Sequence, residues 1–167
     1  MEINIILFAF VSYFIGSIPF AYILTSFFGY GDIRNIGSGN IGATNVLRTG
    51  KKSLAISVLF FDIIKGFLPV TFFFIFYNNY FQEYIIIFIG SLTIIGHIFP
   101  IWLKFKGGKG VATYIGFLLG IDYILGIIFV ISWLIIAFFS KYSSLASICS
   151  LIVIPFFSVL LLSNIAL

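Results

Sequence analysis

Charged side chains are few. Lys and Arg number 9 and Asp and Glu 5 in 167 residues, 8% of the chain, where a soluble domain carries roughly a quarter. With 62% hydrophobic residues and a mean hydropathy of +1.23, that shortage excludes a water-soluble globule and describes an integral membrane protein. Cys149 is the single cysteine and sits in an apolar run, which excludes an intrachain disulfide framework and a cysteine-built metal site. His97 is the single histidine. The carboxylates are scattered, so no paired carboxylates, metal-ligand set or Ser-His-Asp arrangement is legible. The net charge of +4 does not point to nucleic acid, because the basic residues sit in short loops between apolar spans. A basic leader with a small-residue cleavage site is also missing, so the first apolar run is expected to remain in the mature protein.

Against this background stands a polar island, DIRNIGSGNIGATNVLRTG, residues 32–50. Gly37, Gly39 and Gly42 surround Ser38 and Asn40, so the backbone can turn tightly and direct several N–H groups at one spot. With Arg34 and Arg48 nearby, that composition suits an anionic oxygen ligand such as a phosphate. A plain solvated linker would rarely hold so many hydrogen-bonding side chains among so many glycines. The second island is Lys104-Phe105-Lys106-Gly107-Gly108-Lys109-Gly110. Its lysines and glycines open a new helix, again a phosphate cradle. It is not a Walker A loop, since Val111 follows Gly110 and no Ser or Thr follows a Gly-Lys pair. Alone it would read as an ordinary basic loop; beside the first island it reads as half of a site. Lys141-Tyr142-Ser143-Ser144 forms a third polar patch.

The apolar runs between the islands predict an all-α, polytopic membrane bundle of about six segments in one domain, residues 1–167. Residues 4–28 make a first span of roughly 37 Å as helix, interrupted at Gly16-Ser17-Ile18-Pro19, where a packing kink or a wall of the site is expected. Residues 53–77 make the second span, with Asp62 and Lys65 on one face. Charges at this depth must pair or face a polar cavity. Two readings stay open: a self-neutralising Asp62–Lys65 pair, or a Lys65 that adds positive potential beneath the anion site. After a short turn at 78–83, residues 84–103 return and carry His97, one turn before the second island, as a structural hydrogen-bonded residue or a catalyst. Residues 111–121 span only roughly 16 Å, too short to cross, and lead through Asp122 to a longer helix over 123–139; residues 145–162 form the last run. Arg34, Arg48, Lys51, Lys52, Lys104, Lys106, Lys109 and Lys141 all fall on one side of this threading. The positive-inside rule puts that side in the cytoplasm and the N-terminus outside. The islands are expected to converge there.

The chain resembles the bacterial acyl-phosphate:glycerol-3-phosphate acyltransferase family, PlsY. The resemblance rests on Gly16-Ser17-Ile18-Pro19, on the first island, on Asp62-Ile63-Ile64-Lys65-Gly66, on GHIFPIWLKFKGGKGVAT at 96–113 and on KYSSLAS at 141–147. It implies transfer of a fatty acyl group from acyl phosphate to the 1-hydroxyl of glycerol 3-phosphate, giving lysophosphatidic acid and phosphate. The reaction so implied needs no metal or other cofactor, and takes its donor from an acyl-phosphate-producing enzyme at the bacterial inner membrane. The family's essential serine and arginine fall on Ser38 and Arg48. Its glycerol 3-phosphate motif falls on Lys104, Lys106, Gly107, Gly108 and Lys109. The donor's own phosphate is the proposed proton acceptor in this family, in keeping with the lack of a dedicated base. The expected site is therefore Ser38, Arg48 and His97 as catalytic groups, with Gly37, Gly39, Asn40, Asn45, Lys65, Ser143 and Ser144 lining the substrates beside the second island. Members of the family usually continue through a further helix into a basic third motif with His, Asn and Glu. That motif is missing here, so an inactive truncated member is one alternative. A transporter of a small organic phosphate is another, though its donors should lie near the midplane rather than at one surface.

Overall fold

The computed structural model describes residues 2–76 and 82–165, all-α among those residues. The helices are α1 (Glu2–Gly16), α2 (Phe20–Phe27), α3 (Ala43–Val46), α4 (Lys52–Phe76), α5 (Gln82–Ile98), α6 (Val111–Ile121), α7 (Tyr123–Ser140) and α8 (Ser143–Ile165), with single 3-10 turns at Ile33–Asn35, Leu47–Thr49 and Ile101–Leu103. The chain forms two compact units, residues 1–121 and 122–167.

Four stretches are long and apolar enough to cross a bilayer: Lys52–Phe76, Tyr84–Leu103, Tyr123–Ser140 and Ser143–Leu160. The first expected span is broken into Ile5–Gly16 and Phe20–Phe27, bent by 41°, and together these count as a fifth. Pro19 causes the break, because it lacks the N–H that would continue the ladder. The sixth expected segment is α6, 11 residues long, which keeps the short length anticipated for it. The turn expected at 78–83 falls mainly outside the described residues, and α5 is already helical at Gln82.

In the first unit α4 packs against α6 and α1 against α5, both through glycines. A Cβ on Gly66 would strike the Thr113 carbonyl, and one on Gly116 the Ile63 carbonyl. Gly16 and Gly96 play the same part between α1 and α5, against Thr93 and Tyr13. Small residues let backbones approach where lipid supplies no hydrophobic drive between helices. The polar island is anchored by its own apolar members: Ile33, Ile41 and Val46 are buried with Ala21, Leu54, Ala55, Val58 and Leu103 in one cluster. A glycine-rich segment is thereby pinned onto α2, α4 and the end of the α5 span.

The second unit is the α7–α8 hairpin. Asp122 caps α7 by accepting the Ile124 N–H at 2.7 Å, and Lys141, at φ 63°, ends it in the left-handed region. Trp133 Nε1 donates to Ser147 Oγ at 3.0 Å, tying the two helices together.

Candidate active site

The first island holds its shape through one buried amide. Asn45 is only 2% exposed. Its Oδ1 accepts the Ser38 N–H at 3.0 Å and the Ser38 hydroxyl at 3.3 Å, while its Nδ2 donates to the Ile33 and Ile36 carbonyls at 3.2 and 2.9 Å. That exhausts both donors of the side chain. Gly37 sits above it at φ +56°, where a Cβ would lie 2.5 Å from Asn45 Oδ1, 2.7 Å from Arg48 Cδ and 2.9 Å from Arg48 Nη1. Arg48 therefore lies across Gly37, beside Ser38. Both residues are exposed, and Arg48 has no carboxylate partner among the described residues. Arg34 differs. It forks onto Asp32, with Nε 3.0 Å from either oxygen and Nη2 2.6 Å from Oδ2. The side-chain hydrogen bond with Arg34 leads the effects that hold the Asp32 carboxyl below its ordinary range.

The second island folds back on the end of α5. The Gly107 N–H donates to the Ile98 carbonyl at 3.0 Å and the Gly108 N–H to the His97 carbonyl at 3.1 Å. Lys104 and Phe105 take positive φ values, 53° and 62°. Such left-handed residues persist where surrounding bonds over-determine them; here the Phe105 N–H donates to the Pro100 carbonyl at 2.9 Å and Trp102 Nε1 to Ser17 Oγ at 2.9 Å. Lys104, Lys106 and Lys109 are exposed, and α6 begins just beyond Gly110, so its positive end lies at the same edge.

The two islands meet at Gly108. A Cβ there would strike His97 Nε2 and lie 2.8 Å from the Ile41 carbonyl. Only glycine lets these three groups approach so closely. Ile41 is three residues from Ser38, so the Ser38–Arg48 edge lies within roughly 10 Å of backbone from this junction. Beneath it sit the ionisable residues of the spans. Lys65 Nζ is 2.8 Å from Asp62 Oδ1 and donates at 2.8 Å to the Ile18 carbonyl, which lies in the break between α1 and α2 and also accepts the Phe20 N–H at 3.1 Å. His97 Nδ1 lies 3.7 Å from the same Asp62 oxygen. Among the described residues no group of His, Cys, Asp and Glu side chains could hold a metal ion.

The family model described as glycerol-3-phosphate acyltransferase matches residues 6–167. A glycerol-3-phosphate acyltransferase of Pelagibacter ubique is 54% identical over 147 residues, 87% of this chain and 74% of that protein. One from Mesorhizobium japonicum is 46% identical over 155 residues, 93% and 77% of the two chains. The chain belongs to the glycerol-3-phosphate acyltransferase family. A crystal structure of PlsY, an integral membrane glycerol 3-phosphate acyltransferase, in its glycerol 3-phosphate form superposes with a TM-score of 0.86 at 34% identity, covering 92% of this chain and 76% of that one. Its lysophosphatidic acid form gives 0.84 at 32% identity, over 92% and 75%.

Within this acyltransferase fold the structure groups Gly37, Ser38, Asn45 and Arg48 in one loop and Gly107 and Gly108 in the other, with the loops in contact and His97, at the end of α5, against Gly108. Gly39 takes φ +72°, and an added Cβ there would lie 3.1 Å from the Arg34 carbonyl, so it shapes the first loop; Asn40 is half-buried in the same turn. Two side chains expected to face substrate are turned to the protein. Asn45 is a strut, and Lys65 is buried between Asp62 and Ile18. Ser143 and Ser144 start α8 in the second unit, with Ser143 accepting at its carbonyl from Ser147 Oγ at 2.8 Å. Sequence reasoning missed the approach of Asp62 to His97. These two residues are 35 positions apart on different helices, and the available signal was their being, with Lys65, the ionisable residues set within apolar spans.

Proposed function

We propose that this chain transfers a fatty acyl group from acyl phosphate to the 1-hydroxyl of glycerol 3-phosphate, as one transmembrane domain whose site faces the cytoplasm of a bacterial inner membrane. The observation that carries the reading is the meeting of the two islands at Gly108 and Ile41. Ser38 and Arg48 belong to one of the two meeting loops and Lys106 and Lys109 to the other, which supports a shared phosphate site. Two phosphates must be held at once in this reaction, and the donors come in two groups. Arg48 suits planar recognition of a phosphate, and the lysines act as point charges. Ser38, held through its N–H by Asn45 Oδ1 at 3.0 Å, orients the acyl phosphate by turning its hydroxyl from the longer 3.3 Å contact with the same oxygen to donate to the phosphate. In the step itself the hydroxyl oxygen attacks the acyl carbon and the bond from that carbon to the phosphate oxygen breaks. Phosphate leaves with the electron pair and takes the hydroxyl proton. The protein's contribution is then proximity and electrostatic stabilisation of the departing charge. The related PlsY structures were obtained in glycerol 3-phosphate and lysophosphatidic acid forms, a substrate and a product of this reaction. The donor would come from a separate enzyme that makes acyl phosphate.

Purified protein supplied with acyl phosphate and glycerol 3-phosphate should release phosphate only when both are present. The Arg48→Ala variant should retain its fold and lose transfer by about a hundredfold or more. Phosphate release without glycerol 3-phosphate, or normal turnover by Arg48→Ala, would overturn the reading.

A further inference from the structure

The bundle buries Asp62, Lys65 and His97, at 2%, 2% and 5% exposure, and all of them meet at one point. Lys65 is provided for by Asp62 and the Ile18 carbonyl. His97 Nδ1 is not: it is buried without a partner in hydrogen-bond geometry and faces, at 3.7 Å, the Asp62 Oδ1 that is already ion-paired with Lys65 Nζ at 2.8 Å. Buried polar atoms left this way are rare and unfavourable. Contraction to the ordinary ~3.0 Å would need a shift of less than about 1 Å, and such bonds commonly tighten only when substrate is held. The opposite edge of the same ring abuts Gly108, where an added Cβ would strike Nε2. The imidazole thus stands between the Asp62 carboxylate and the backbone of the second island, which also touches its carbonyl through the Gly108 N–H. Any movement of the ring toward Asp62 changes the space beneath Gly108.

We propose that Asp62 is a positioning residue of the reaction: its carboxylate takes the His97 Nδ1–H, seats the other edge of the ring under Gly108, and so sets the loop bearing Lys106 and Lys109 for the phosphate of glycerol 3-phosphate. Asp62 touches no substrate in this scheme, and its effect passes through His97 alone. The inference rests on the acyl-transfer reading above.

Two double variants isolate the contact. Asp62→Leu/Lys65→Met and Asp62→Asn/Lys65→Met both remove the buried ion pair, so neither leaves a lone buried charge. They differ in whether an oxygen still faces His97. Steady-state KM is measured for each substrate, alongside thermal unfolding in detergent. The Asn variant should keep KM for glycerol 3-phosphate within about threefold of the parent, while the Leu variant raises it by about ten- to a hundredfold, as displaced positioning groups do. KM for acyl phosphate should be the same in both. Equal KM values for glycerol 3-phosphate in the two variants, a parallel rise for both substrates, or failure of either variant to fold would assign the cluster to structure alone and overturn the inference. A parent chain that turns over nothing with both substrates would instead overturn the acyl-transfer reading, and this inference with it.

Discussion

At position 45 one amide serves several turns of the same loop. It accepts from Ser38 and donates to the Ile33 and Ile36 carbonyls, and its side chain is out of reach of solvent. Asn45→Ala would leave the Ser38 N–H without its partner and take one of two donors from each carbonyl, which keep the Ile36 N–H at 3.1 Å and the Gly39 N–H at 3.0 Å. The expected loss is about 1–3 kcal/mol of stability, read as a lower unfolding temperature in detergent, with a fall in turnover because Ser38 is no longer held. Unchanged stability would mean that the loop finds other partners. The polarity of Asn45 was visible in the sequence, yet its direction was not. Ser38, Asn40, Asn45 and Arg48 all read as ligand donors from composition, and burial decides which of them face inward. Arg34 and Arg48 show the same limit. Both are basic residues of one glycine-rich loop, and only the folded loop brings Asp32 onto Arg34 while laying Arg48 over Gly37.

Among the elements, α4 and α6 carry the second island most directly, because α6 starts one residue after Gly110 and its register on α4 fixes where that loop begins. Gly116 and Gly66 set the register by backbone contact with Ile63 and Thr113. Gly116→Val has no space to relax into and should cost about 1–3 kcal/mol or more through overpacking. Thermal unfolding measures that cost, and turnover should drop in the same variant as α6 moves off α4. A variant with parental stability and activity would show that the close crossing does not position the loop. The length of α6 was legible, since 11 apolar residues between Gly110 and Asp122 cannot cross a bilayer. The break between α1 and α2 was legible too, from Pro19. That Lys65 would donate to the Ile18 carbonyl in that break was not, because the two residues are 47 positions apart and nothing local couples them.

For the whole molecule, the charge asymmetry of the loops makes an orientation that can be tested. In a Cys149→Ser background, a membrane-impermeant maleimide should label Tyr84→Cys in intact cells and Lys104→Cys only after permeabilisation. These positions bracket the Tyr84–Leu103 span, about 30 Å at 1.5 Å per residue. The reverse pattern would place the basic islands outside and sink the cytoplasmic site. Much of the architecture follows from the sequence by itself: a membrane bundle, its span limits, the short α6 and two anion-suited loops with their specific motifs. These follow because hydropathy, proline and glycine act over distances of a few residues. Only the tertiary structure decided that the islands touch at Gly108 and Ile41, that Asn45 and Lys65 serve the fold, and that Asp62 stands against His97. Those contacts join residues far apart in the chain, and they depend on how closely glycine lets backbones approach, which no local pattern encodes.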